Sequence, residues 1–491
     1  MIMLAFFARF FKKHPSVMEK HTARIFFTNT LSGKKELFIP QKPGIALMYT
    51  CGPTVYGPAH IGNLRAFIFS DTIARVLKVA GYRVRRVINI TDFGHLVSDG
   101  DDGEDKMTKG LRREGLTLTL ENMRAMAEKY AAIFFEDIAF LNIDTKEITF
   151  PRASDYIAEQ IAFITTLEQK GYAYRTRDGV YFDTARFSGY GKLGGITMCC
   201  QQENTRIKKN KEKHAPADFV LWKSDSKLGW ESPWGRGFPG WHIECSAMAR
   251  SLLGQEIDIH TGGEDHIAIH HNNEIAQSEA ASGRTFVHYW MHNAFLNMGS
   301  EKISKSLGNA VYLSDVITKK FNPLALRYFF LQAHYRTPLS FSWDALAGAA
   351  SALNRLWDIA REIAIESKHK SAPSEIRERF LATMRDDLAT PQALSVLWDS
   401  LRSEEYTPEE KWGLIEDADV HLGLSLVNPP ATNGLTEKNV PEEIRDMLAR
   451  RQAARDSKDF KEADRIRGEI SDRGYRVDDG PNGPVLTRTT L

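Results

Sequence analysis

The sequence predicts an α/β fold with a parallel sheet built from two halves and an inserted subdomain, followed by an α-helical bundle and a small C-terminal domain. Three observations predict it. A strand, glycine-bearing turn, helix and strand follow one another over residues 44–91, and a second such unit lies near residues 240–307. From Ala345 onward helix follows helix. At 491 residues the chain is also too long for a single core.

Composition narrows the class of protein. The formal net charge is +1, so any nucleic-acid binding must use local basic patches. Four cysteines in 491 residues do not make a secreted disulfide framework, which predicts a cytoplasmic protein. No apolar run approaches the roughly 18 residues of a membrane span, so no membrane partner is expected. In "MIMLAFFARFFKK" the charges follow the apolar run, which does not indicate a signal peptide. Residues 1–23 are therefore interpreted as an N-terminal extension, with a membrane contact of this segment as the alternative.

The first unit begins with "GIALMYT", which is typical of a buried strand. Apolar side chains such as Leu64, Phe67 and Ile68 then recur at helical spacing, and "RVRRVINIT" is typical of a strand. The turn "HIGN" therefore lies where a helix begins at the carboxyl end of a strand. We expect exposed amide groups there, which is a favourable place for a phosphate.

Helices are predicted over residues 118–141 and 154–170, and a turn-rich segment ending in "RIKKNKEKH" follows. An inserted connective subdomain is accordingly placed at about residues 142–217. The second half then supplies a strand in "EIDIHTGG", a helix from about His270 and a strand around "WMHNAFLNM".

The helical part is predicted to span residues 345–430, with Thr390 and Thr407 as N-caps because each precedes a proline. The linker "VNPPATNGLTEKN" separates it from an end domain over residues 440–491, made of two charged helices and a Gly/Pro-rich tail.

Four separated residues could form a zinc site: Cys51, Cys245, His270 and Glu274. The last two are four apart on a predicted helix and so share a face, and two thiolates, an imidazole and a carboxylate suit tetrahedral zinc. The alternatives are buried structural cysteines and a solvated helix face, and no Cys-x-x-Cys pair decides between them.

Two further sequence features are assigned no function. The adjacent Cys199 and Cys200 are poorly placed to bind one ion together. The acidic segment 98–105 departs from the calcium-loop template because a glycine stands where a third ligand belongs, so we interpret it as a solvated loop.

A second group of candidate functional residues combines His60 and Asn63 of "HIGN" with Lys302 and Lys305 of "EKISKSLGN". Lysines that reach a polyphosphate held at a helix start are what nucleotidyl transfer needs, because they neutralise charge in the transition state. Taken alone, the lysine segment is also compatible with an exposed basic loop.

These motifs, in this order, resemble the HIGH and KMSKS signatures of class I aminoacyl-tRNA synthetases. "MYTCGPTVYGPAHIGN", "GWHIECSAMA", "HHNNEIAQSEA" and "EKISKSLGN" are closely similar to the cysteinyl-tRNA synthetase family, and the resemblance covers residues 24–488. It implies a Rossmann-type catalytic domain over residues 24–344, an anticodon-binding bundle over 345–430 and a small tRNA-binding domain over 440–491.

The resemblance also implies roles for individual residues. Cys51, Cys245, His270 and Glu274 would hold one Zn2+ that binds the substrate thiolate. The catalytic set would be His60, Asn63, Lys302 and Lys305, and ATP with Mg2+ would contact Gly52, His60, Asn63, Gly262, Gly263, Asp265 and Lys305. Thr54, Thr91 and Trp241 would surround the amino acid.

The reaction implied is ATP-dependent ligation of L-cysteine to tRNA(Cys) through a cysteinyl-adenylate, by a monomer. Four departures from the family stand out: Asn63 in place of the second His, Ile303 in place of Met, an acidic insertion after His95, and the lack of a Phe-Pro pair in "IAIHHNNE". We interpret His95 as a surface residue or as one that supports a site residue, with a catalytic role as the alternative. Three rival functions stay open: transfer of activated cysteine to a small amine as in the mycothiol-pathway ligase, a non-catalytic tRNA-binding paralogue, and a nucleotidyltransferase without an RNA partner.

Overall fold

The computed structural model describes residues 23–93, 106–195, 212–299, 301–302, 308–430, 441–473, 475–480 and 483–488. Residues 1–22 of the predicted extension, His95 with the acidic segment 98–105, Cys199, Cys200 and Lys305 lie outside the described residues, and Lys302 is described as backbone only. The chain divides into two compact units, Met1–Leu426 and Val427–Leu491.

The first half of the larger unit alternates strands and helices. Its elements are β1 (Phe26–Asn29), β2 (Lys34–Leu37), β3 (Ile45–Thr50), α1 (Ile61–Val79), β4 (Arg83–Ile88), α2 (Lys106–Arg113), α3 (Leu120–Phe140), β5 (Ile148–Thr149) and α4 (Ile157–Gln169). The predicted strand at the "GIALMYT" segment and the two predicted helices are confirmed. The second of these helices begins later than predicted because Ala153–Tyr156 forms a 3-10 turn.

The middle of the chain adds an antiparallel sheet and the second parallel half. Its elements are β6 (Ala173–Thr176), β7 (Gly179–Phe182), β8 (Phe219–Ser224), β9 (Gly237–Pro239), α5 (Trp241–Leu252), β10 (Ile257–Gly263), α6 (His270–Ser282), β11 (Val287–Asn293), β12 (Leu296–Met298) and β13 (Glu301–Lys302). Where one strand was predicted around "WMHNAFLNM", the structure has two, β11 and β12.

The central sheet has five strands in the order β11–β10–β3–β4–β5, and all of its neighbouring pairs are parallel. Residue Thr261 at the end of β10 pairs with Thr50 at the end of β3. Cys51 therefore follows β3 at the same edge where Gly262 and Gly263 end β10. This is the carboxyl edge, where open parallel sheets bind ligands.

The inserted sheet has four antiparallel strands in the order β6–β7–β8–β9 and reaches Pro239. Val180, Phe182, Leu221 and Trp222 of this sheet are almost fully buried, and they pack in one apolar cluster with Ile243 of α5. This contact fixes α5, which carries two of the predicted site residues, against the inserted sheet.

Helices dominate the rest of the larger unit: α7 (Leu313–Thr318), α8 (Pro323–Leu331), β14 (Leu339–Phe341), α9 (Trp343–Ser367), α10 (Glu375–Arg385), α11 (Thr390–Arg402) and α12 (Pro408–Leu422). Thr407 caps α12 as predicted, with its hydroxyl accepting from the Glu410 amide at 3.3 Å. None of the helices within the described ranges is long and apolar enough to cross a membrane.

The predicted N-cap at Thr390 is wrong by one position, because Ala389 is the cap and Thr390 is the first helical residue. The turn before it decides this. Asp387 and Leu388 both adopt positive φ, 57° and 55°. The Asp387 carboxylate accepts hydrogen bonds at 2.7 Å from the Thr28 amide and at 2.7 Å from the Tyr335 hydroxyl. This anchored turn starts the helix one residue early.

The smaller unit consists of α13 (Glu442–Asp456), α14 (Phe460–Asp472) and an antiparallel hairpin, β15 (Tyr475–Gly480) with β16 (Gly483–Arg488). The two charged helices are as predicted, whereas the Gly/Pro-rich tail, for which no strand was predicted, forms a hairpin. Ile444, Ile466, Ile470 and Val477 form its buried apolar cluster, together with Met447 and Tyr475.

Candidate active site and metal centre

The four predicted metal ligands meet at the carboxyl edge of the central sheet. Cys51 follows β3, Cys245 lies in α5, and His270 and Glu274 occupy the first turns of α6. One ligand atom from each lies within 4.8 Å of those of the other three. His270 Nε2 is 3.0 Å from Glu274 Oε1, as their spacing on one helical face predicts.

The cluster is buried: 8% of Cys51 is exposed, and 2% or less of each of the other three. Burial raises the pKa of Cys51, whereas a hydrogen bond from Cys51 lowers the pKa of Cys245. Burial would raise the pKa of Glu274, but His260 and His270 hold it well below its usual range. Burial opposes the charge on His270, yet its hydrogen bonds to Cys245 and Glu274 raise its pKa to about 10. The low pKa values of Cys245 and Glu274 and the high pKa of His270 thus favour a buried set of paired charges, and Cys51 beside them favours the neutral thiol.

Neighbouring polar groups fix the orientation of these ligands. His242 Nδ1 is 2.9 Å from His270 Nδ1, which leaves His270 Nε2 directed into the cluster. His260 Nε2 is 3.0 Å from Glu274 Oε2 and so occupies the second carboxylate oxygen. Such outer hydrogen bonds set the ring orientation of a metal-binding histidine.

A second ligand set overlaps the first: Cys51, His260, His271 and Glu274 also bring four ligand atoms within 4.8 Å of one another. Cys51 Sγ lies 3.3 Å from His271 Nε2. The other nitrogen of His271 is 2.7 Å from His292 Nε2, and burial lowers the pKa of both these histidines well below the usual value. Neutral imidazoles can bind a metal, so the two sets have to be distinguished by experiment.

A cavity of about 630 Å³ lies next to the cluster. Cavities of about 300–1,000 Å³ are typical of small-molecule sites. Trp241, the first residue of α5, lines the cavity, and its ring centroid is 4.5 Å from that of His270. Trp241 therefore forms part of the wall between the cavity and the cluster. The predicted residues that line the cavity are Gly52, Thr54, His60, Asn63, Trp241, Gly263 and Asp265.

The start of α1 differs from the expectation of exposed amide groups. His60 is the N-cap, and its Nδ1 accepts from the Asn63 amide at 3.2 Å, while Asn63 Oδ1 accepts from the His60 amide at 3.3 Å. The Ile61 amide donates to the Val311 carbonyl at 2.8 Å. Three backbone donors are thus already paired, so contacts from this turn to a phosphate fall first to side chains.

Gly52 is required by a close approach of two backbones. A Cβ at this position would lie 1.5 Å from the Asn89 carbonyl oxygen. The Gly52 amide donates to Asn89 Oδ1 at 2.8 Å, which fixes the loop between the candidate metal ligand Cys51 and the cavity.

Two predicted contact residues do not line the cavity. Thr91 is buried, and its hydroxyl donates to Glu244 Oε2 at 2.8 Å. Its backbone supports Thr54 through a parallel bridge between the two residues. Gly262 lies behind the cavity wall, where a Cβ would come within 2.6 Å of His266 Nδ1.

Several residues of this site were not predicted from the sequence: Asn89, His242, His260, His271 and His292. The doublet in "IHHNNE" was a usable signal for His271, because both histidines follow a strand that ends at the site. Asn89 and His242 offered no such signal, since their partners are distant in sequence.

Comparisons with known proteins agree with this fold. The family described as "tRNA synthetases class I (C) catalytic domain" matches residues 37–351, and "Cysteinyl-tRNA ligase anticodon binding domain" matches residues 437–483. A cysteine–tRNA ligase of Burkholderia lata is 47% identical, with 91% of this chain and 94% of that protein covered. A cysteine–tRNA ligase of Treponema denticola is 41% identical, with 92% and 97% covered.

Solved structures share the fold at low sequence identity. Mycobacterium tuberculosis methionyl-tRNA synthetase with methionyl-adenylate superposes with a TM-score of 0.55 at 16% identity, covering 78% of this chain and 91% of that one. A leucyl-tRNA synthetase complex of Agrobacterium radiobacter K84 gives a TM-score of 0.58 at 11% identity, covering 80% and 86%.

The fold and the matched catalytic domain define a class I aminoacyl-tRNA synthetase, as the motifs predicted. Within that class, the chain belongs to the cysteine–tRNA ligase family. It is an enzyme of protein biosynthesis that ligates cysteine to tRNA(Cys) with ATP, and it carries an anticodon-binding domain.

Proposed function

We propose that the enzyme first forms cysteinyl-adenylate in the cavity and then passes the cysteinyl group to tRNA(Cys), with a Zn2+ at the buried cluster selecting cysteine. The observation that carries the zinc proposal is the meeting of Cys51, Cys245, His270 and Glu274 behind Trp241. Mg2+ would accompany ATP.

The donor set fits zinc. Two sulfurs, an imidazole nitrogen and a carboxylate oxygen are ligands that Zn2+ favours. Tetrahedral bonds of about 2.0–2.3 Å place neighbouring ligand atoms roughly 3.3–3.8 Å apart. The atoms of this cluster lie within 4.8 Å of one another, so small side-chain shifts would complete such a site.

When bound, the ion would supply a soft Lewis acid for the substrate sulfur, which a serine hydroxyl matches poorly. Shape alone separates close analogues by only about 1–3 kcal/mol. Trp241 would close over the bound amino acid, because its ring already covers His270 at the cavity wall. Thr54 would contact the substrate from the cavity side, while Thr91 would act by holding the Thr54 backbone.

ATP would occupy the rest of the cavity. His60 and Asn63 would donate to phosphate or ribose oxygens from the start of α1, and Gly52, Gly263 and Asp265 would shape the nucleotide site. Gly262 would let β10 end close to the histidines behind it. Lys302 and Lys305 would stabilise the charge that develops as pyrophosphate leaves.

The tRNA would be bound at two places, with its 3′ end at the cavity and its anticodon arm on other elements. We propose that the helical bundle and the smaller unit contact the anticodon arm, since proteins read unpaired bases by stacking and hydrogen bonds. The family match at residues 437–483 supports the smaller unit as the anticodon reader. A monomer in the cytoplasm stays our prediction, and size-exclusion chromatography with light scattering would test the monomer.

The test of activity has two arms on purified full-length protein loaded with zinc. Cysteine-dependent ATP–pyrophosphate exchange, with serine as control, measures adenylate formation, and charging of tRNA(Cys) with labelled cysteine measures transfer. We expect both with cysteine and neither with serine. Exchange without charging would indicate that the cysteinyl group is passed to an acceptor other than tRNA. Absence of both activities would refute the proposal.

The zinc ligands are tested by two matched variants. Cys245 belongs only to the first ligand set and His271 only to the second. We expect Cys245→Ser to lose bound zinc, measured by elemental mass spectrometry, and to raise the KM for cysteine. His271→Gln should keep the metal. The reverse pattern would assign zinc to the second set, and full occupancy in both would remove zinc from this cluster.

A further inference from the structure

We propose that Lys109 binds a substrate phosphate group at the cavity, in addition to the lysines proposed above for the "EKISKSLGN" segment. The proposal rests on the placement of ATP in this cavity argued above. It concerns α2, an element to which neither the sequence motifs nor the proposed mechanism gave a role.

Lys109 lines the same cavity as His60 and Asn63. Its side chain is exposed, and among the residues that the structure describes it takes part in no ion pair or hydrogen bond. An exposed lysine with no partner normally extends into solvent, but this one lies at the wall of the catalytic cavity. A mobile ammonium group at such a place suits a phosphate oxygen as a point charge.

Helix α2 is held tightly against the loop that leads to His60. Gly110 permits this contact, because a Cβ there would come within 2.9 Å of Met126 Sδ and 3.0 Å of the Tyr56 carbonyl oxygen. Arg113 Nη2 donates to the same Tyr56 carbonyl at 2.7 Å. The backbone that carries Lys109 is therefore fixed, and only its flexible side chain has to find the ligand.

Among the described residues, no carboxylate forms an ion pair with Lys109, and Glu114, which follows α2, is shared by Lys129 and Arg113. Glu114 pairs with Lys129 at 2.7 Å, and it also accepts a hydrogen bond from Tyr130. Arg113 adds a second cation to the cavity lining. These two cations line the cavity together with one carboxylate, that of Asp265, so the lining can attract an anion, and phosphate is the anionic group that ATP and the tRNA both carry.

That phosphate can belong to ATP or to the 3′ end of the tRNA, and the two reaction steps separate these sources. The variant is Lys109→Gln, with Lys109→Arg as the charge-preserving form. Arg124→Gln is the matched control, because Arg124 is an exposed cation on the neighbouring α3 that does not line the cavity. His60→Ala tests the ATP placement itself.

If Lys109 binds ATP, Lys109→Gln raises the KM for ATP in pyrophosphate exchange about tenfold or more, the effect of losing one hydrogen bond to a charged group, and Lys109→Arg restores most of it. If Lys109 binds the tRNA end, exchange keeps its KM while single-turnover transfer from preformed adenylate slows by a similar factor.

Wild-type values in both steps for Lys109→Gln, with His60→Ala impaired, overturn the inference and leave the proposed function intact. If His60→Ala is also unimpaired in exchange, the placement of ATP fails as well. A loss equal to that of Arg124→Gln would mean that general surface charge, and not Lys109, is responsible.

Discussion

Replacing Asp71 by Asn should destabilise the larger unit strongly, because Asp71 is a buried carboxylate of the active-site helix α1 that pairs with three arginines. Asp71 Oδ2 lies 2.6 Å from Arg327 and 2.7 Å from Arg75, and its other oxygen lies 3.5 Å from Arg86. Asp71 and Arg327 are 2% and 0% exposed. The amide introduced by Asp71→Asn would retain the shape of the side chain but leave the guanidinium groups without a counter-charge.

The expected magnitude follows from this burial. Removing one partner of a buried ion pair costs about 3–5 kcal/mol of unfolding free energy. A unit of about 400 residues has an unfolding entropy of roughly 0.9 kcal/mol/K. The thermal midpoint should therefore fall by about 3–6 °C. The matched control is Asp358→Asn, since Asp358 pairs with Arg361 at 2.6 Å but is 54% exposed, and it should change the midpoint by less than about 1 °C.

The pH dependence provides a second readout. Burial would raise the pKa of Asp71, but Arg327, Arg75 and Arg86 hold it below its usual range. The folded protein thus keeps the carboxylate ionised at pH values where the unfolded chain protonates it. The stabilisation that ionised Asp71 contributes is fully present above its pKa in the unfolded chain, about 3.9, and is lost as the pH falls through its lower pKa in the folded protein.

Thermal melts by circular dichroism at a fixed scan rate, from pH 8 to pH 3.5, measure both effects. The gap between wild type and Asp71→Asn should stay constant down to about pH 5 and begin to narrow below about pH 4. A variant that melts like Asp358→Asn at pH 7.5 would refute the reasoning, since the cluster would then contribute no more than a surface pair.

Three further predictions rest on single features. Gly52→Ala should abolish exchange activity and lower the melting midpoint, because its Cβ would lie 1.5 Å from the Asn89 carbonyl oxygen. The control is Gly348→Ala in α9, which has open space around it and should be neutral or stabilising. Equal melting midpoints for the two variants would contradict the steric argument. Burial and the neighbouring Glu136 raise the pKa of Asp137 to about 7, so its ionised form destabilises the folded protein above that pH. Asp137→Asn should therefore raise the melting midpoint by about 2–4 °C at pH 8.5 and by little near pH 4. An increase in the midpoint that does not depend on pH would exclude the carboxylate as its cause. Trp241→Ala should raise the KM for cysteine in exchange and leave that for ATP near wild type, and unchanged values for both would exclude closure over the amino acid.

Local patterns were sufficient to predict most elements. Alternating strands and helices predicted the parallel sheet, and the position of "HIGN" after β3 predicted a helix start at the carboxyl edge. His270 and Glu274 were predicted to share a helical face because a four-residue spacing fixes that geometry, and their side chains are 3.0 Å apart. These features depend on neighbours in sequence, so the sequence carries them.

Features that depend on distant partners were missed. Thr390 was predicted as a cap from its own proline, but the anchored Asp387 turn moved the helix start. Three of the amides expected to be free at "HIGN" are paired, one of them with Val311 from a distant loop. His242 orients His270 across two helices, and Asn89 holds Gly52 across two strands. None of these pairings leaves a local pattern.

The sequence by itself determined the class of enzyme, the order of its elements and the residue types available for the metal and the nucleotide. It could not decide whether Cys51 and Cys245 meet, because 194 positions separate them. Only the tertiary structure brings them together, by ending β3 and beginning α5 and α6 at one edge of a parallel sheet. That edge also decides which residues face the cavity, since side-chain exposure is set by packing between elements that are remote along the chain.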